Sequence, residues 1–426
     1  MEKVLRLAPE HLPRRMCLLV ILQRIKERKM GKNDHEKCVV VTVKREKIMN
    51  QTSIKKVLYV RNAPYVLNFD GYNLQEVGLG TAFCRRGYDF DLVYYSKENR
   101  DQVISIGDRK LTILWRKGIR ILRTGIYPFV LSKEFLKQYD YVILSDYSQI
   151  MSYLIAKRRD SVYLYHGPYY NSFKIPFVEP FYDKLFCKSI NRNVKKIFCK
   201  TQMSSDFIAK KGLTNTAVVG VGLDIAKFEA EKQIQAETEE LLTKMEGKRN
   251  LLYVGSIIPR KNTELLIKTF IELKKNKNYG DVQLVLVGKG DHSYEHACKR
   301  LIPKEIESDV VWCHYIKNAQ LKFIYQKTYA FLLPSVQEIF GMVLLEAMYF
   351  ALPVVSSNSA GAGTLIKHME NGLVVENFDV KDWTAALCSL LNDEKCASQY
   401  GHAASNTIRE YFLWDCICDK FLKYMQ

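Results

Sequence analysis

Residues 328–358 have the sequence TYAFLLPSVQEIFGMVLLEAMYFALPVVSSN. Two short apolar runs in it, TYAFLLPS and LPVVSSN, are typical of buried strands, and GMVLLEAMYFA between them fits a buried helix. A strand, a helix and a second strand in this order predict one unit of a parallel sheet. Because the same alternation continues on both sides of it, this stretch decides the fold class as α/β.

The alternation begins upstream of that stretch and extends over most of the chain. NLLYVGS at residues 250–256 and VQLVLVGKG at 282–290 predict two strands, with a helix-periodic run at 262–275 between them. A first series of strands starts at Ile54, and a charged helical stretch over 228–248 separates the two series. Two Rossmann-like domains in tandem are the simplest interpretation.

The pattern divides the 426 residues into four segments. Residues 49–245 are predicted to form the first Rossmann-like domain, 246–404 the second and 405–426 a C-terminal helix, whereas residues 1–48 form a basic extension. Two interpretations of the extension stay open: a basic amphipathic arm that lies on a membrane surface, or an artefactual extension in front of a start at Met49. The second interpretation rests on purine-rich codons for Lys-Arg-Glu-Lys-Ile, which would resemble a bacterial ribosome-binding site.

The positive charge is concentrated in the N-terminal part of the chain. There are 64 Lys and Arg against 46 Asp and Glu, a net charge of +18, in an otherwise ordinary globular composition with 47% hydrophobic residues. Residues 1–48 carry +7, 49–245 carry +10 and 246–426 carry +1. The excess indicates an anionic partner. A nucleic-acid-binding protein is a competing class, but the sequence holds no recognisable nucleic-acid module, and we expect no nucleic acid as partner.

Cysteine use and apolar runs indicate the compartment. The eleven cysteines are scattered without a C-x-x-C pair, which favours reduced thiols in the cytoplasm. The longest apolar runs are far shorter than the ~20 residues that a membrane-spanning helix needs. We therefore expect a cytoplasmic protein that docks, at most, on the inner face of the membrane.

Two glutamates flank the start of the helix that is predicted within residues 328–358. Glu338 lies on the loop that leaves the first strand, Gly341 at the helix N-terminus and Glu346 inside the helix. The free N–H groups and the positive dipole end of the helix favour a phosphate there, and a neighbouring carboxylate accepts hydrogen bonds from sugar hydroxyls. Glu346 stands among apolar residues, so its charge needs a partner.

The stretch from PSVQEIFG through LLEAMYFALPVVSS to ENGLVV resembles the nucleotide-sugar domain of retaining GT-B glycosyltransferases of the family-4 type, the glycosyl transferases group 1. VGSIIPRKNTELLI, VLVGKGD, NGLVVENFDVKDWTAAL and FLWDCICDKFLKYM also occur in the family's order. The resemblance is good from Leu251 to the end and weaker from Ile54. It implies a GT-B fold, in which two Rossmann-like α/β/α domains face each other across a cleft and the C-terminal helix crosses back to the first domain.

The resemblance also implies roles for residues of the second domain. Glu338 is expected to contact the transferred sugar, Glu346 the ribose hydroxyls of the donor nucleotide, and Lys261 the pyrophosphate. The helix start at Phe340 and Gly341 completes this donor-binding set and would stabilise the leaving nucleoside diphosphate.

One departure from the family pattern lies near the pyrophosphate lysine. Gly255 matches a family glycine, but Ser256 stands where the family has an arginine directly after it. Arg260 is the candidate that supplies the missing guanidinium from a neighbouring position, because a planar fork binds phosphate bidentately.

On the first domain the resemblance points to two positions. SVYLYHGP ends a predicted strand with His166, where similar enzymes keep a histidine directed at the reacting sugar, so His166 is a catalytic candidate. The family's early glycine loop is reduced here to Asp70-Gly71. Gly71 would let the backbone approach the donor phosphates closely.

The function that the resemblance implies is sugar transfer from a nucleoside-diphosphate sugar to a glycan or lipid-linked acceptor, with retention of anomeric configuration. We expect no metal and no cofactor besides the donor, and a role in bacterial cell-surface polysaccharide synthesis. The +10 of residues 49–245 would suit docking on anionic lipid. Another GT-B enzyme, such as a sugar-nucleotide epimerase or a phosphorylase, is the second competing class.

Overall fold

A computed structural model of the chain describes residues 54–67, 74–121, 124–173, 175 and 177–425. The predicted basic extension over 1–48 and the predicted phosphate-loop residue Gly71 lie outside these residues. The described residues form two large, mainly parallel sheets, each with helices packed on it, and a separate two-stranded hairpin.

The first sheet is built from the N-terminal half. The strands of this half are β1 Lys56–Val60, β2 Asp89–Ser96, β3 Arg100–Ile106, β4 Arg109–Lys117, β5 Ile119–Ile121, β6 Thr124–Ile126, β7 Tyr141–Ser145, β8 Val162–His166, β9 Lys196–Cys199 and β10 Thr216–Val218. Eight of them pair in the order β10-β9-β8-β7-β1-β2-β4-β3, while β5 and β6 form a separate antiparallel hairpin. All pairs in the sheet are parallel except β3 with β4.

Seven helices of the described residues accompany and follow this sheet. They are α1 Gln75–Arg85, α2 Lys133–Leu136, α3 Ile150–Ala156, α4 Val178–Asn193, α5 Gln202–Ala209, α6 Ala226–Ala230 and α7 Ala236–Met245. The charged stretch that was predicted to connect the two series contains α7, which lies between the last strand of the first sheet and the first strand of the second.

The second sheet contains the strand–helix–strand unit predicted for residues 328–358. Its strands are β11 Arg249–Val254, β12 Val282–Val287, β13 Val310–Cys313, β14 Ala330–Leu333, β15 Val354–Ser357 and β16 Leu373–Val375, all parallel, in the order β13-β12-β11-β14-β15-β16. This is the doubly wound order, and its direction reverses between β11 and β14. Ligands of such sheets bind outside the carboxyl ends of the strands at that reversal.

Eight helices complete the second half of the described chain. They are α8 Thr263–Lys274, α9 His292–Arg300, α10 Leu321–Gln326, α11 Met342–Tyr349, α12 Ala362–Leu365, α13 Val380–Asn392, α14 Glu394–Tyr411 and α15 Trp414–Met425. The predicted alternation of strands and helices is therefore confirmed in both halves. None of the helices in the described ranges is both long and apolar enough to cross a membrane.

The C-terminal helix α15 packs on the first sheet, as predicted. The ring of Phe421 lies 4.0 Å from that of Phe198 on β9. A Cβ atom added at Gly78 of α1 would lie 2.1 Å from the indole nitrogen of Trp414, so only glycine allows this close approach. The helix thus returns from the second half of the chain and ties it to the first.

Candidate functional site

A cavity of about 750 Å³ opens at the carboxyl ends of the strands in the second sheet, beside the reversal of strand order. Three of the predicted donor-binding residues, Gly255, Lys261 and Gly341, line it, and so does Glu338, which was predicted as catalytic. Its other walls come from the strand ends, from the loop after β13 and from the first turn of α11, and include Ser256, Gly288, Lys289, His314, Tyr315, Ile316, Lys317, Asn318, Leu321, Met342, Val343 and Lys227.

The floor of the cavity is bare backbone. Gly288 follows β12 with φ at +146°, and a Cβ added there would lie 1.9 Å from the carbonyl oxygen of Gly255. No side chain fits between these two strand ends. A ligand in the cavity therefore meets peptide groups directly, as a phosphate-binding site requires.

The first turn of α11 forms one wall of the cavity. Gly341 caps the helix with φ at +77°, a left-handed conformation that favours glycine. Because the first helical hydrogen bond runs from the Leu344 amide to the Gly341 carbonyl oxygen, the amides of Met342 and Val343 have no carbonyl partner within the helix. Both residues line the cavity, which gives an anion two free donors and the positive end of the helix dipole.

Phe340 supports this turn and does not line the cavity. Its side chain is buried and its ring lies 6.2 Å from the ring of Phe412. The backbone of Gly361 passes so close to the carbonyl oxygen of Phe340 that an added Cβ would lie 1.9 Å from it. Phe340 thus positions the helix start, and its neighbours Gly341 and Met342 face the cavity.

Lys261 and Glu338 form an ion pair at the cavity wall. The Nζ atom of Lys261 donates to Oε2 of Glu338, and both side chains are largely buried. Arg260 lies outside the cavity: it is exposed, and its guanidinium donates to the carbonyl oxygen of Gln337 in the same loop. Ser256, where the family arginine is missing, lines the cavity. The structure brings Lys261 and Glu338 together, while Arg260 holds the loop that carries Glu338.

Glu346 is fully buried inside α11 and has several polar partners. It accepts hydrogen bonds from Asn318 Nδ2 at 3.2 Å and from the Tyr325 hydroxyl at 3.0 Å, and Lys227 Nζ lies 4.0 Å from it. Burial lowers the pKa of Lys227, although the charge of Glu346 acts in the opposite direction. Asn318 and Lys227 line the cavity, so Glu346 is joined to it through them.

Asn318 and Lys227 are site residues that sequence reasoning missed. Lys227 is contributed by α6, before the second sheet begins, and Asn318 by the loop after β13. Neither belongs to the motif that contains Glu346. The sequence predicts that a carboxylate among apolar residues needs a polar partner. Which residues become its partners depends on the fold.

His166 ends β8, and its side chain is buried at the carboxyl edge of the first sheet. Its Nδ1 lies 2.8 Å from Oδ1 of Asp146, the residue that follows the neighbouring strand β7. Burial alone would raise the pKa of Asp146, but His166 and the hydrogen bonds from Ser148 outweigh it and hold that pKa below its ordinary value. In the neutral tautomer that donates from Nδ1 to Asp146, the other ring nitrogen, Nε2, is a hydrogen-bond acceptor. Nε2 has no hydrogen-bond partner among the residues that the structure describes.

Contacts across the cleft place the two strand edges against each other. The backbone amide of Glu338 donates to the hydroxyl of Tyr169, which lies three residues after His166, at 3.3 Å. A Cβ added at Gly167 would lie 3.2 Å from a methyl carbon of Ile339. The loop after His166 therefore touches the loop that carries Glu338, and Asp146 and Tyr169 join the site as residues that motif matching did not find.

A partly buried lysine, Lys200, follows the neighbouring strand β9 and contacts the backbone of His166. The backbone amide of Lys200 donates to the His166 carbonyl oxygen at 2.9 Å, and its Nζ donates to Oε1 of Gln75 at 2.7 Å. Burial lowers the pKa of Lys200, while the nearby Glu76 acts against this. The first sheet thus supplies both a histidine and an ammonium group at the edge that faces the cleft.

The sequence contains one Asp-x-Asp pair, the pattern that metal-dependent transferases use, at Asp89 and Asp91. Both lie on β2, where Asp89 accepts from the Lys110 amide and Asp91 from the Tyr139 hydroxyl. They are engaged within the first sheet and do not line the cavity. No group of three or more His, Cys, Asp or Glu that could hold a metal ion occurs in the described part of the chain.

Comparisons with known proteins agree with this architecture. Residues 235–407 match the family described as glycosyl transferases group 1. An uncharacterized glycosyltransferase of Methanocaldococcus jannaschii is 31% identical over 176 residues, 40% of this chain and 43% of that protein. D-inositol 3-phosphate glycosyltransferase of Arthrobacter sp. is 30% identical over 160 residues, 37% of this chain and 38% of that protein.

The chain thus spans about two fifths of the length of these curated relatives. A much longer match exists at the level of the fold. The crystal structure of Anabaena HepE in complex with UDP superposes with a TM-score of 0.63 at 16% identity, covering 86% of this chain and 98% of HepE. Residues 235–407 are therefore similar to the group 1 glycosyltransferases, and the chain that carries them has the GT-B fold.

Proposed function

We propose that this protein is a retaining, metal-independent glycosyltransferase that transfers a sugar from a nucleoside-diphosphate sugar to a glycan or lipid-linked acceptor. One observation carries the proposal. Lys261, Glu338 and the first turn of α11 converge on one cavity, and the loop after His166 contacts the Glu338 loop across the cleft. A donor diphosphate and its sugar fit this combination of cation, helix start and carboxylate.

On the donor side, binding of the diphosphate would draw Lys261 away from Glu338. The developing negative charge of the leaving group is then stabilised by Lys261 and by the free amides of Met342 and Val343. The released carboxylate of Glu338 accepts hydrogen bonds from the transferred sugar. We propose that Glu346 serves the ribose hydroxyls through Asn318, its hydrogen-bond partner at the cavity wall.

Two more residues complete the proposed donor site. Arg260 supports the Glu338 loop and lies close enough in sequence to Lys261 to assist at the diphosphate. Gly71, which lies outside the described residues, is proposed to approach the donor phosphates with its backbone.

On the acceptor side, we propose that Nε2 of His166 accepts a hydrogen bond from a sugar hydroxyl and so orients the reacting ring. Asp146 fixes the ring through Nδ1. The partly buried ammonium of Lys200 favours an anionic acceptor, which agrees with the +10 charge of residues 49–245. A lipid-linked glycan with a phosphate linkage has this character, and we place the enzyme on the cytoplasmic face of a membrane in polysaccharide assembly.

The test is a panel of UDP-, GDP- and ADP-sugars with the full chain. HepE is solved with UDP, so UDP-sugars come first. We expect one donor class to raise the melting temperature and to release nucleoside diphosphate slowly in the absence of acceptor. Conversion of the donor into another sugar nucleotide, without release of diphosphate, would support an epimerase instead. No shift with any donor would overturn the proposal.

Retention is tested separately, once a donor is known. The anomeric configuration of the product is read by proton NMR. An α-linked donor that yields an α-linked product supports retention, and a β-linked product contradicts it.

A further inference from the structure

Helix α4 presents large apolar side chains to solvent. Phe177, which caps the helix, is 74% exposed, Phe181 is 65% exposed and Leu185 is 51% exposed. Single exposed apolar side chains are common on protein surfaces, whereas a cluster of large ones marks an interaction surface.

Basic residues share this face of the helix. Lys184, Lys188 and Arg192 are exposed, and at 100° per residue they fall within the same third of the helix circumference as the three apolar residues. The opposite face is buried through Tyr182 and Ile190. None of the three basic residues forms an ion pair with another residue in the described ranges. We call the six residues Phe177, Phe181, Lys184, Leu185, Lys188 and Arg192 the α4 face.

The apolar end of the α4 face lies at the cleft. A helix that follows a parallel strand starts at the strand's carboxyl edge and runs back along the sheet. The strand before α4 ends at His166, so Phe177 and Phe181 stand at the edge that carries the site. The Tyr182 hydroxyl confirms this placement, because it donates to the carbonyl oxygen of Tyr147, the neighbour of Asp146, at 2.9 Å.

Other exposed apolar side chains follow the strands at the same edge. They are Tyr65 and Val66 after β1, Ile119 and Ile121 after β4, and Ile175 before α4. The hairpin that contains Ile119 and Ile121 is joined to the loop after β1 by a hydrogen bond from the Gly125 amide to the Asn62 carbonyl oxygen. The apolar rim therefore extends along the acceptor side of the cleft.

We propose that the α4 face docks this protein on an anionic lipid bilayer. Aromatic and aliphatic side chains at one end would enter the interface, while the unpaired basic side chains bind lipid phosphates. A second copy of the chain is a poorer occupant, since two such faces carry like charges and would repel each other. The surplus of +10 on residues 49–245 adds to the attraction. Docking in this orientation turns the mouth of the cleft towards the membrane, where a lipid-linked acceptor would enter.

The test is vesicle flotation of the full chain with phosphatidylcholine alone and with phosphatidylcholine mixed with phosphatidylglycerol. We expect recovery with the anionic vesicles only. The variant Lys184→Ala/Lys188→Ala should weaken this binding about 25-fold, since each basic residue contributes about fivefold. The variant Phe177→Ser/Phe181→Ser should weaken it at least about tenfold.

Matched controls lie on the second half of the chain. Phe378→Ser removes an exposed phenylalanine there, and Lys304→Ala/Lys395→Ala removes two exposed lysines. Both should bind anionic vesicles as the unaltered protein does. Equal recovery of the unaltered protein with neutral and anionic vesicles would overturn the inference, and so would an equal loss in the controls.

The relation of docking to the acceptor rests on the proposed function, but docking itself does not. The melting-temperature shift by the sugar donor is therefore measured on the α4-face variants too, and should be unchanged. Loss of vesicle binding without loss of the donor shift is the expected result. If no donor binds and docking persists, the proposed function fails and the docking inference stands. If the basic variant keeps vesicle binding but loses binding to single-stranded DNA, the face serves nucleic acid and the inference fails.

Discussion

The two sheets contribute to the cleft in different ways. On the second sheet the backbone shapes the cavity, because the ends of β11 and β12 meet at glycines and Gly341 turns the start of α11 inward. On the first sheet the candidate residues are side chains that follow separate strands: Asp146 contacts His166, and the Lys200 amide donates to the His166 carbonyl oxygen. A site that is formed by backbone can therefore be recognised from a short stretch of sequence. A site that is formed by side chains from several strands exists only after those strands have come together in the sheet.

We expect the largest effect from Gly288→Ala, which tests whether backbone contact shapes the cavity on the second sheet. Its Cβ would lie 1.9 Å from the Gly255 carbonyl oxygen, and backbone cannot swing away as a flexible side chain does. We expect the free energy of unfolding to fall by about 3 kcal/mol or more in urea denaturation. Gly363→Ala is the control, because its nearest neighbour is 3.8 Å away, and it should change stability by less than about 0.5 kcal/mol. Similar stabilities of the two variants would show that the cavity floor is not set by backbone contact.

Glu338→Ala separates the donor and sugar roles of the second sheet. We expect kcat to fall at least about 100-fold, as is usual for loss of one group that stabilises a transition state. The nucleoside diphosphate should bind more tightly, because Lys261 no longer pairs with Glu338. Steady-state kinetics and calorimetric titration measure the two effects. Glu370→Ala, at an exposed ion pair, serves as the control, and full activity of Glu338→Ala would refute the site.

Asp146→Asn addresses the first sheet alone. We expect kcat to fall about tenfold to 100-fold because the His166 ring loses its ionised partner. The donor KM should stay unchanged, because the proposed donor site lies on the second sheet. A change confined to the donor KM would contradict the proposed division of labour.

The same variant has a pH signature. The depressed pKa of Asp146 stabilises the fold above the ordinary Asp value of about 4, and this contribution is lost as pH falls through the folded-state pKa. The unaltered protein should therefore melt above Asp146→Asn at pH 7, and the difference should shrink below pH ~4. Thermal melts from pH 7 to pH 3 measure it, and a constant difference would argue against an ionised Asp146.

We expect the smallest loss of stability from removing an exposed ion pair between helix α15 and the first half of the chain. The carboxylate of Asp419 on α15 accepts two hydrogen bonds from Arg86, each 2.8 Å long. Both groups are partly exposed, so water screens the pair and Asp419→Asn should cost less than about 1 kcal/mol in chemical denaturation. Glu240→Gln, at an exposed pair within α7, should cost nothing measurable. A large loss in Asp419→Asn would mean that charge, rather than the packing of Phe421, holds α15.

The donor side was predictable because its determinants are close together in the chain. A left-handed glycine, a helix start and a carboxylate lie within four residues, from Glu338 to Gly341, and local geometry fixes their relation. The partners of Glu346 were not predictable. Asn318 and Lys227 lie far from it in sequence, and only the packing of α6 and the loop after β13 brings them to it.

On the first sheet the sequence predicted a single site residue but not the contacts that it makes. His166 was recognised at the end of its strand, but its partner Asp146 follows a different strand, and the pairing depends on the register of β7 with β8. Likewise, the sequence predicted a surplus of positive charge over 49–245 without its location. The helical phase and burial of α4 were needed to find the face on which part of that charge meets exposed aromatic rings.

The ion pair between Lys261 and Glu338 has one more consequence. Each of the two charges already has its counter-ion within the protein, so a ligand that binds to either group must break the ion pair. A free phosphate can replace Glu338 at Lys261 only by leaving a largely buried carboxylate unpaired, and a neutral sugar carries no charge to pair with Lys261. A nucleoside-diphosphate sugar satisfies both groups at once. The ion pair therefore favours a ligand that carries both an anionic group and sugar hydroxyls over a ligand that carries only one of them.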